Sequence, residues 1–392
     1  MRQSRKKWER RREVHRNKLA AVIFVIMMIA FCVVNLATGD REFSATENRA
    51  LEQRPELTIS GIESGRWMEQ YESYVSDQFA GRDFWVMLKS RVDLLAGKRK
   101  ANGVFKGKDH YLLEDIAKPD EDQMKENLSA MKKFQKQYKD IPMYMMLVPN
   151  AANIESDKLP GYAVTENQEK QFKAIHSTLG SVYTWVDVSD ILKKHRSEEI
   201  YYHTDHHWTT LGAYYGYQAL SKSMKLDTSK TSDMKPYAVT NAFNGTLAST
   251  SGYETGYEEP IYIYAPDNLK NATEVVVNNV NEKKKTATLY DTSKLKGKDK
   301  YALFLGGNYP ILDIKTTADS TDKLLIIKDS YANSLIPFLI PYYREIVVVD
   351  PRYYYDDIEK VMKKDKITSV LFLYNGNTFV KDNSISGVLQ ND

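Results

Sequence analysis

The sequence is poor in cysteine and in histidine. Its 392 residues hold one cysteine, Cys32, and seven histidines. A lone cysteine excludes an intrachain disulfide and a cysteine-built zinc site. A chain without disulfides must be held by an apolar core, and this one is long enough to bury one. The sequence also lacks an HExxH or similar helical ligand pair, a long-period repeat and a low-complexity segment. Charge is nearly balanced, at a formal +3, and the excess sits at one end. Within the first 18 residues, Arg2, Arg5, Lys6, Lys7, Arg10, Arg11, Arg12, Arg16 and Lys18 stand against only Glu9 and Glu13. The remainder is slightly acidic, so no basic field is left on the body to grip nucleic acid.

Long apolar runs are not lacking. Residues 19–38, "LAAVIFVIMMIAFCVVNLAT", carry no charge and match the roughly 20 residues that cross a bilayer core. The basic cluster before them predicts a cytoplasmic N-terminus. The run is longer than a signal peptide's apolar region, and Cys32 after Phe31 is a poor lipoprotein site. It reads as an uncleaved, single-pass signal anchor in a bacterial cytoplasmic membrane, with the rest of the chain outside. Residues 1–18 are then a cytoplasmic basic tail. Residues 39–105 read as an extended stalk followed by amphipathic helices, since Trp67, Tyr71, Tyr74, Val75 and Phe79 recur at roughly helical spacing. Such a segment is a spacer or a contact for a membrane partner.

Residues 106–392 alternate in texture. Short apolar runs such as "MYMMLVP", "VYTWVDV", "KLLII", "EIVVVD" and "SVLFLY" read as buried strands. Between them, "EKQFKAIHSTL", "TTLGAYYGYQALSKSM", "YANSLIPFLIPYY" and "DIEKVMKK" read as helices. This alternation predicts an α/β domain with a parallel sheet covered on both faces. Residues 236–300 differ, with turn residues between short β-like runs, and predict a small antiparallel β insertion.

Two places could carry chemistry. Ser330, in "LLIIKDSYANS", follows an apolar strand and precedes a helical stretch. Ligands bind at that carboxyl edge in open α/β sheets. A serine nucleophile needs a base within hydrogen-bond reach; the plainer reading is a helix N-cap. The run "YYHTDHHWTT" holds three of the seven histidines, His203, His206 and His207, beside Asp205 and Trp208. A carboxylate beside an imidazole can fix its tautomer for proton transfer. The same residues are metal-ligand types, and a histidine beside Trp208 could equally sit in a core. Two loops add polar groups, Asn308 in "FLGGNYP" and Asn375 with Asn377 in "LYNGNTF". An asparagine amide can donate to an oxyanion, and Asn-Gly also marks an ordinary turn.

"TDHHWTTLGAY", "FLGGNYP", "IIKDSYANSLIPFL" and "VVDPRYY" resemble, as a set, the DHHW family of bacterial proteins, named for residues 205–208. "ATENRALEQRPELT" and "SGRWMEQYESYVSDQFAGRDFW" extend the resemblance toward the anchor. That family looks related to SGNH-hydrolase-like proteins that O-acetylate alginate and similar exopolysaccharides. The resemblance implies a flavodoxin-like α/β/α sandwich with a permuted motif order, in which Asp205 and His207 precede the nucleophile Ser330. It leaves His203 and His206 as bystanders or structural residues. Lys328 departs from the pattern, standing where a glycine is usual, and the glycine block expected after the serine is not evident. Arg352 sits near that edge of the sheet instead. The asparagine of the oxyanion hole could be Asn375 or Asn377.

The leading expectation is therefore an extracytoplasmic acyltransferase or esterase. Its acceptor would be a cell-envelope or exopolysaccharide, its intermediate an acetyl-serine, and its partner a membrane-bound O-acyltransferase that supplies acetyl groups. No metal or cofactor is called for. Two alternatives remain: a non-catalytic polysaccharide-binding or assembly protein with a degenerate SGNH fold, and a metal-dependent esterase built on the histidines. The 27 tyrosines, many near these motifs, suit sugar stacking or half-buried core positions.

Overall fold

The computed structural model describes residues 2–44, 49–268 and 272–390. The chain divides into two compact units, residues 1–89 and 90–392. In the first, α1 (Arg2–Ala37) contains the apolar run, and its segment Glu13–Ala37 is long and apolar enough to cross a membrane. α2 (Arg66–Asp77) carries most of the spacing read from residues 67–79, and α3 (Arg82–Leu95), which follows it, runs past the division at residue 89.

The second unit is built on one large sheet. In chain order its elements are α4 (Glu121–Gln137), β1 (Met143–Val148), α5 (Gln168–Leu179), β2 (Thr184–Trp185) and α6 (Thr210–Met224). There follow β3 (Met234–Phe243), β4 (Glu259–Pro266), β5 (Val275–Asn279), β6 (Lys284–Thr286) and β7 (Ile311–Thr316). β8 (Lys323–Lys328), β9 (Glu345–Val349), α7 (Ile358–Asp365) and β10 (Ser369–Asn375) complete the set used below. The eight sheet strands run in the order β6-β5-β7-β9-β8-β10-β1-β2. From β9 to β2 every pairing is parallel. The pairings of β6, β5, β7 and β9 are antiparallel.

Alternation along each strand sends side chains to two cores. Leu324, Ile326, Leu371 and Leu373 join Ala213, Tyr217 and Leu220 of α6 on one face. Leu325, Ile327, Val370 and Phe372 meet Phe134 of α4, Ile175 of α5 and Met362 of α7 on the other. Both faces are covered, which is why the central strands read as unbroken apolar runs.

The structure corrects the expected topology in three places. The sheet is mixed rather than parallel. The antiparallel β insertion divides between two sheets: β3 and β4 pair with each other, whereas β5 and β6 extend the main sheet. They do so through β7, whose half-polar "ILDIKT" alternates buried and less buried positions and gave no strand-like run. The helix expected over "YANSLIPFLIPYY" is two 3₁₀ segments, Ser330–Ser334 and Ile336–Tyr342. Pro337 and Pro341 lack the N–H that an α-helix needs there.

α6 is capped by Thr209, whose hydroxyl accepts the Gly212 N–H at 3.2 Å. One turn on, α6 lies against the Trp208 indole so closely that a Cβ on Gly216 would sit 2.7 Å from the ring. Both partners are buried, so neither can give way cheaply. Gly216→Ala is expected to destabilise the fold by about 1–3 kcal/mol through overpacking, measured as a lower urea midpoint at unchanged slope.

Candidate active site

Ser330 is placed by its neighbour. Asp329 is fully buried at the end of β8. One of its oxygens accepts the Tyr331 N–H at 2.9 Å, and the other accepts the Asn375 N–H from the end of β10, also at 2.9 Å. Asp329, not Ser330, is therefore the cap of the 3₁₀ segment. Ser330 becomes its first residue, half-buried at the carboxyl edge of the parallel strands.

The DHHW stretch is a tight loop closed by a Tyr201–Trp208 bridge. Trp208 is buried, and its indole N–H reaches the Tyr331 carbonyl at 3.0 Å and Ser334 Oγ at 3.1 Å. The Tyr331 hydroxyl donates back to the His206 carbonyl. These bonds bolt the loop to the serine turn. In that register His207 Nε2 lies 2.7 Å from Ser330 Oγ, and His207 Nδ1 lies 2.6 Å from Asp205 Oδ1. A carboxylate accepts only, so the proton between Asp205 and His207 is on Nδ1. That leaves the Nε2 lone pair facing the serine hydroxyl.

Asp205 is 1% exposed, yet every lone-pair direction is used. Oδ1 accepts the His207 N–H and Nδ1–H; Oδ2 accepts the Thr246 N–H at 2.8 Å and its hydroxyl at 2.9 Å. Burial alone would raise this carboxyl. The adjacent His206 and His207 imidazoles and these hydrogen bonds hold it well below the usual carboxylate range. Gly245 makes the approach possible, since a Cβ there would fall 2.3 Å from Asp205 Cβ.

His206 is tied into the same chain rather than idle. Its Nδ1 is 2.8 Å from the Thr246 hydroxyl that donates to Asp205, so Nδ1 carries the proton. Burial and the neighbouring His207 depress its pKa. The donor atoms of Asp205, His206 and His207 lie within 4.8 Å of one another, as a metal site would require. Those of Asp205 and His207 belong to the Ser–His–Asp chain, and Nδ1 of His206 belongs to Thr246. His203 stands outside this chain: its ring stacks on Tyr257, its Nε2 lies 3.2 Å from Glu199 Oε2, and its backbone carbonyl accepts the Leu112 N–H at 2.7 Å.

The expected oxyanion or substrate-binding residues each have hydrogen-bond partners within the fold. Asn377 Nδ2 gives both hydrogens inward, to Glu114 Oε2 at 2.9 Å and the Asp115 carbonyl at 2.8 Å. Asn375 is buried and bonds the Val148 carbonyl. Arg352 clasps both oxygens of Asp350, at 2.8 and 2.6 Å. Asn308 accepts from Lys328 Nζ at 2.8 Å. Lys328, in the glycine's place, is 1% exposed and also reaches Asp350 at 3.3 Å; burial pushes its pKa down.

Three contributors were not read from the sequence. Thr246 has been described. Glu259 at the start of β4 is 2% exposed and accepts the His203 and Thr204 N–H groups, at 2.8 and 2.9 Å, plus the Thr204 hydroxyl. Tyr301 lies face to face on His207, ring centres 3.7 Å apart, and donates to Ser334 Oγ. All three come from or adjoin the β insertion. The one sequence signal was an acid heading an alternating strand, "EEPIYIYA", where an apolar residue would be ordinary. Of the tyrosines near the motifs, Tyr201, Tyr202 and Tyr331 are core residues, whereas Tyr353 and Tyr355 are exposed.

A mixed α/β sheet that presents a hydrogen-bonded Ser–His–Asp chain at its carboxyl edge is the class of protein described so far. Residues 124–349 match the DHHW protein family, and the chain belongs to it. A DHHW family protein from Eubacterium siraeum superposes with a TM-score of 0.59 at 24% identity, covering 73% of this chain and 95% of its own. PatB1 of Bacillus cereus, solved with a sulfonyl adduct, gives 0.59 at 21% identity, covering 71% and 96%. The O-acetyltransferase domain of Pseudomonas putida AlgJ is a looser likeness, 0.46 at 14%, covering 72% and 94%. No curated protein matches the chain.

One buried acid near His203 sets a pH dependence. Glu155 is 1% exposed, and its Oε1 has no partner among the described residues. Burial pushes its carboxyl up to about 7 from the ordinary 4.5. The folded state then holds this proton more tightly than the unfolded chain, so its contribution weakens as pH rises between those values. Glu155→Gln is expected to raise the melting temperature relative to the parent at pH 8 and not at pH 5.

Proposed function

We propose that this protein is an extracytoplasmic acyltransferase that works through an acyl-Ser330 intermediate. The observation that carries the reading is the unbroken chain Asp205–His207–Ser330, with contacts of 2.6 and 2.7 Å. As Ser330 Oγ attacks an acetyl carbonyl, His207 Nε2 takes its proton, and Asp205 stabilises the imidazolium. The donor's carbon–heteroatom bond breaks, and His207 returns the proton to the leaving group. A sugar hydroxyl then repeats the cycle in reverse, giving its proton to His207 and freeing Ser330. Water in the sugar's place would make the same site an esterase.

The sequence resemblance to alginate-type O-acetyltransferases supports acetyl as the group moved and an envelope polysaccharide as the acceptor. An acetyl donor must reach the outer side of the membrane, so a membrane-bound O-acyltransferase is the partner this reading calls for. The basic segment 1–18 favours a cytoplasmic N-terminus, with the second unit outside.

Lys328 in the glycine's position is the one feature that favours a binding or assembly role without catalysis. Labelling with a fluorophosphonate or sulfonyl fluoride separates the readings. The parent is expected to label on Ser330, Ser330→Ala not at all, and His207→Ala about a hundred- to ten-thousandfold more slowly. Labelling should be indifferent to chelation. A parent that does not label, yet binds sugar, would leave the non-catalytic reading standing.

A further inference from the structure

α2 and the start of α3 carry exposed apolar stripes. Met68, Tyr71 and Val75 recur at i, i+3 and i+7 on α2, and they are 63%, 38% and 45% exposed. Phe84, Trp85 and Leu88 form a similar stripe at the start of α3, also exposed. Scattered exposed apolar residues are ordinary; a contiguous stripe on each of two successive helices marks an interaction surface.

The structure says what lies beside that surface. The turn joining α2 to α3 is held against the last turns of the apolar segment of α1. The Ala80 N–H donates to Asn35 Oδ1 at 2.8 Å. Phe31 packs on Phe79 and on Trp85, with ring centres 6.3 and 6.0 Å apart. Asn35 is itself fixed by its bond to the Phe31 carbonyl. Asn35 lies within three residues of the end of the apolar run, where a bilayer gives way to its polar interface. The α2–α3 elbow therefore sits at that level, whichever way the chain is oriented. Its aromatic residues, Trp67, Tyr71, Phe84 and Trp85, are of the kind that settles at headgroup depth.

We propose that α2 and the start of α3 lie in the bilayer interface, with the Met68–Tyr71–Val75 and Phe84–Trp85–Leu88 stripes facing the acyl chains. This surface would hold the elbow in the interface, as an interfacial amphipathic helix does. The proposal rests on α1 spanning the membrane and is independent of the chemistry at Ser330.

The test uses the full chain alone, reconstituted in vesicles of phosphatidylethanolamine and phosphatidylglycerol. On a Cys32→Ser background, a nitroxide is attached at Met68→Cys, Val75→Cys, Leu88→Cys or Ser73→Cys. Ser73 is exposed on the opposite side of α2. The ratio of oxygen to nickel-chelate collision is expected to be several-fold higher at the first three sites than at Ser73→Cys. Equal ratios at all four, labels shielded from both reagents, or a chain that does not float with the vesicles would each overturn the proposal. The middle outcome would mean that protein, not lipid, covers the stripes. With no cysteine changes, lipids brominated along their acyl chains are expected to quench tryptophan emission. Trp85→Phe should remove a share of that quenching, and no change on that substitution would also count against the proposal.

Discussion

Asp205 is a carboxylate taken out of water and then given four hydrogen bonds, two to each oxygen. A buried charge without such partners costs several kcal/mol. Everything at the candidate site follows from meeting that requirement. Two of the donors are on His207, which fixes the ring and its tautomer. The other two are on Thr246, which brings in the segment between β3 and β4. Glu259 of the same hairpin repeats the device one residue earlier in the loop, accepting two backbone N–H groups and a hydroxyl. The β3–β4 hairpin and the segment between its strands thus support the DHHW loop.

Trp208 does the complementary task. The loop is held from outside by the insertion and from beneath by the indole, which bonds the serine turn directly. Asp329 ties that turn to the end of β10. Ser330 and His207 are therefore positioned by two hydrogen-bonded frames that meet at Trp208. Asn375, Asn377 and Arg352 belong to the surrounding framework. The hydrogen bonds of the two asparagines seal the carboxyl ends of β10 and β1 against the residues near 114, and Arg352 with Lys328 neutralises the buried Asp350.

The central parallel strands were legible because both their faces are buried, which leaves uninterrupted apolar runs such as "KLLII" and "SVLFLY". β7 was not, because Asp313 and Lys315 alternate with its apolar residues and conceal its place in the large sheet. The 3₁₀ segments after Ser330 were misread as α-helix on apolar spacing, although Pro337 and Pro341 carried the contrary signal. At the site, Asp205, His207 and Ser330 could be named because they lie in short motifs. Thr246, Glu259 and Tyr301 could not: each reaches the loop across 40 or more residues, and the one local signal, the acid heading "EEPIYIYA", does not say what Glu259 partners. Resemblance also drew attention to Asn375 and Asn377, whose amides the fold spends on its own interior.

The central claim is that Ser330 carries the acyl group between donor and acceptor. Intact-mass and peptide mass spectrometry after brief exposure to an activated acetyl ester tests it most directly. The account predicts one added acetyl group, located on Ser330 and discharged when an oligosaccharide acceptor is supplied. An unmodified chain, or an acetyl group stable on some other residue while Ser330 stays free, would contradict it.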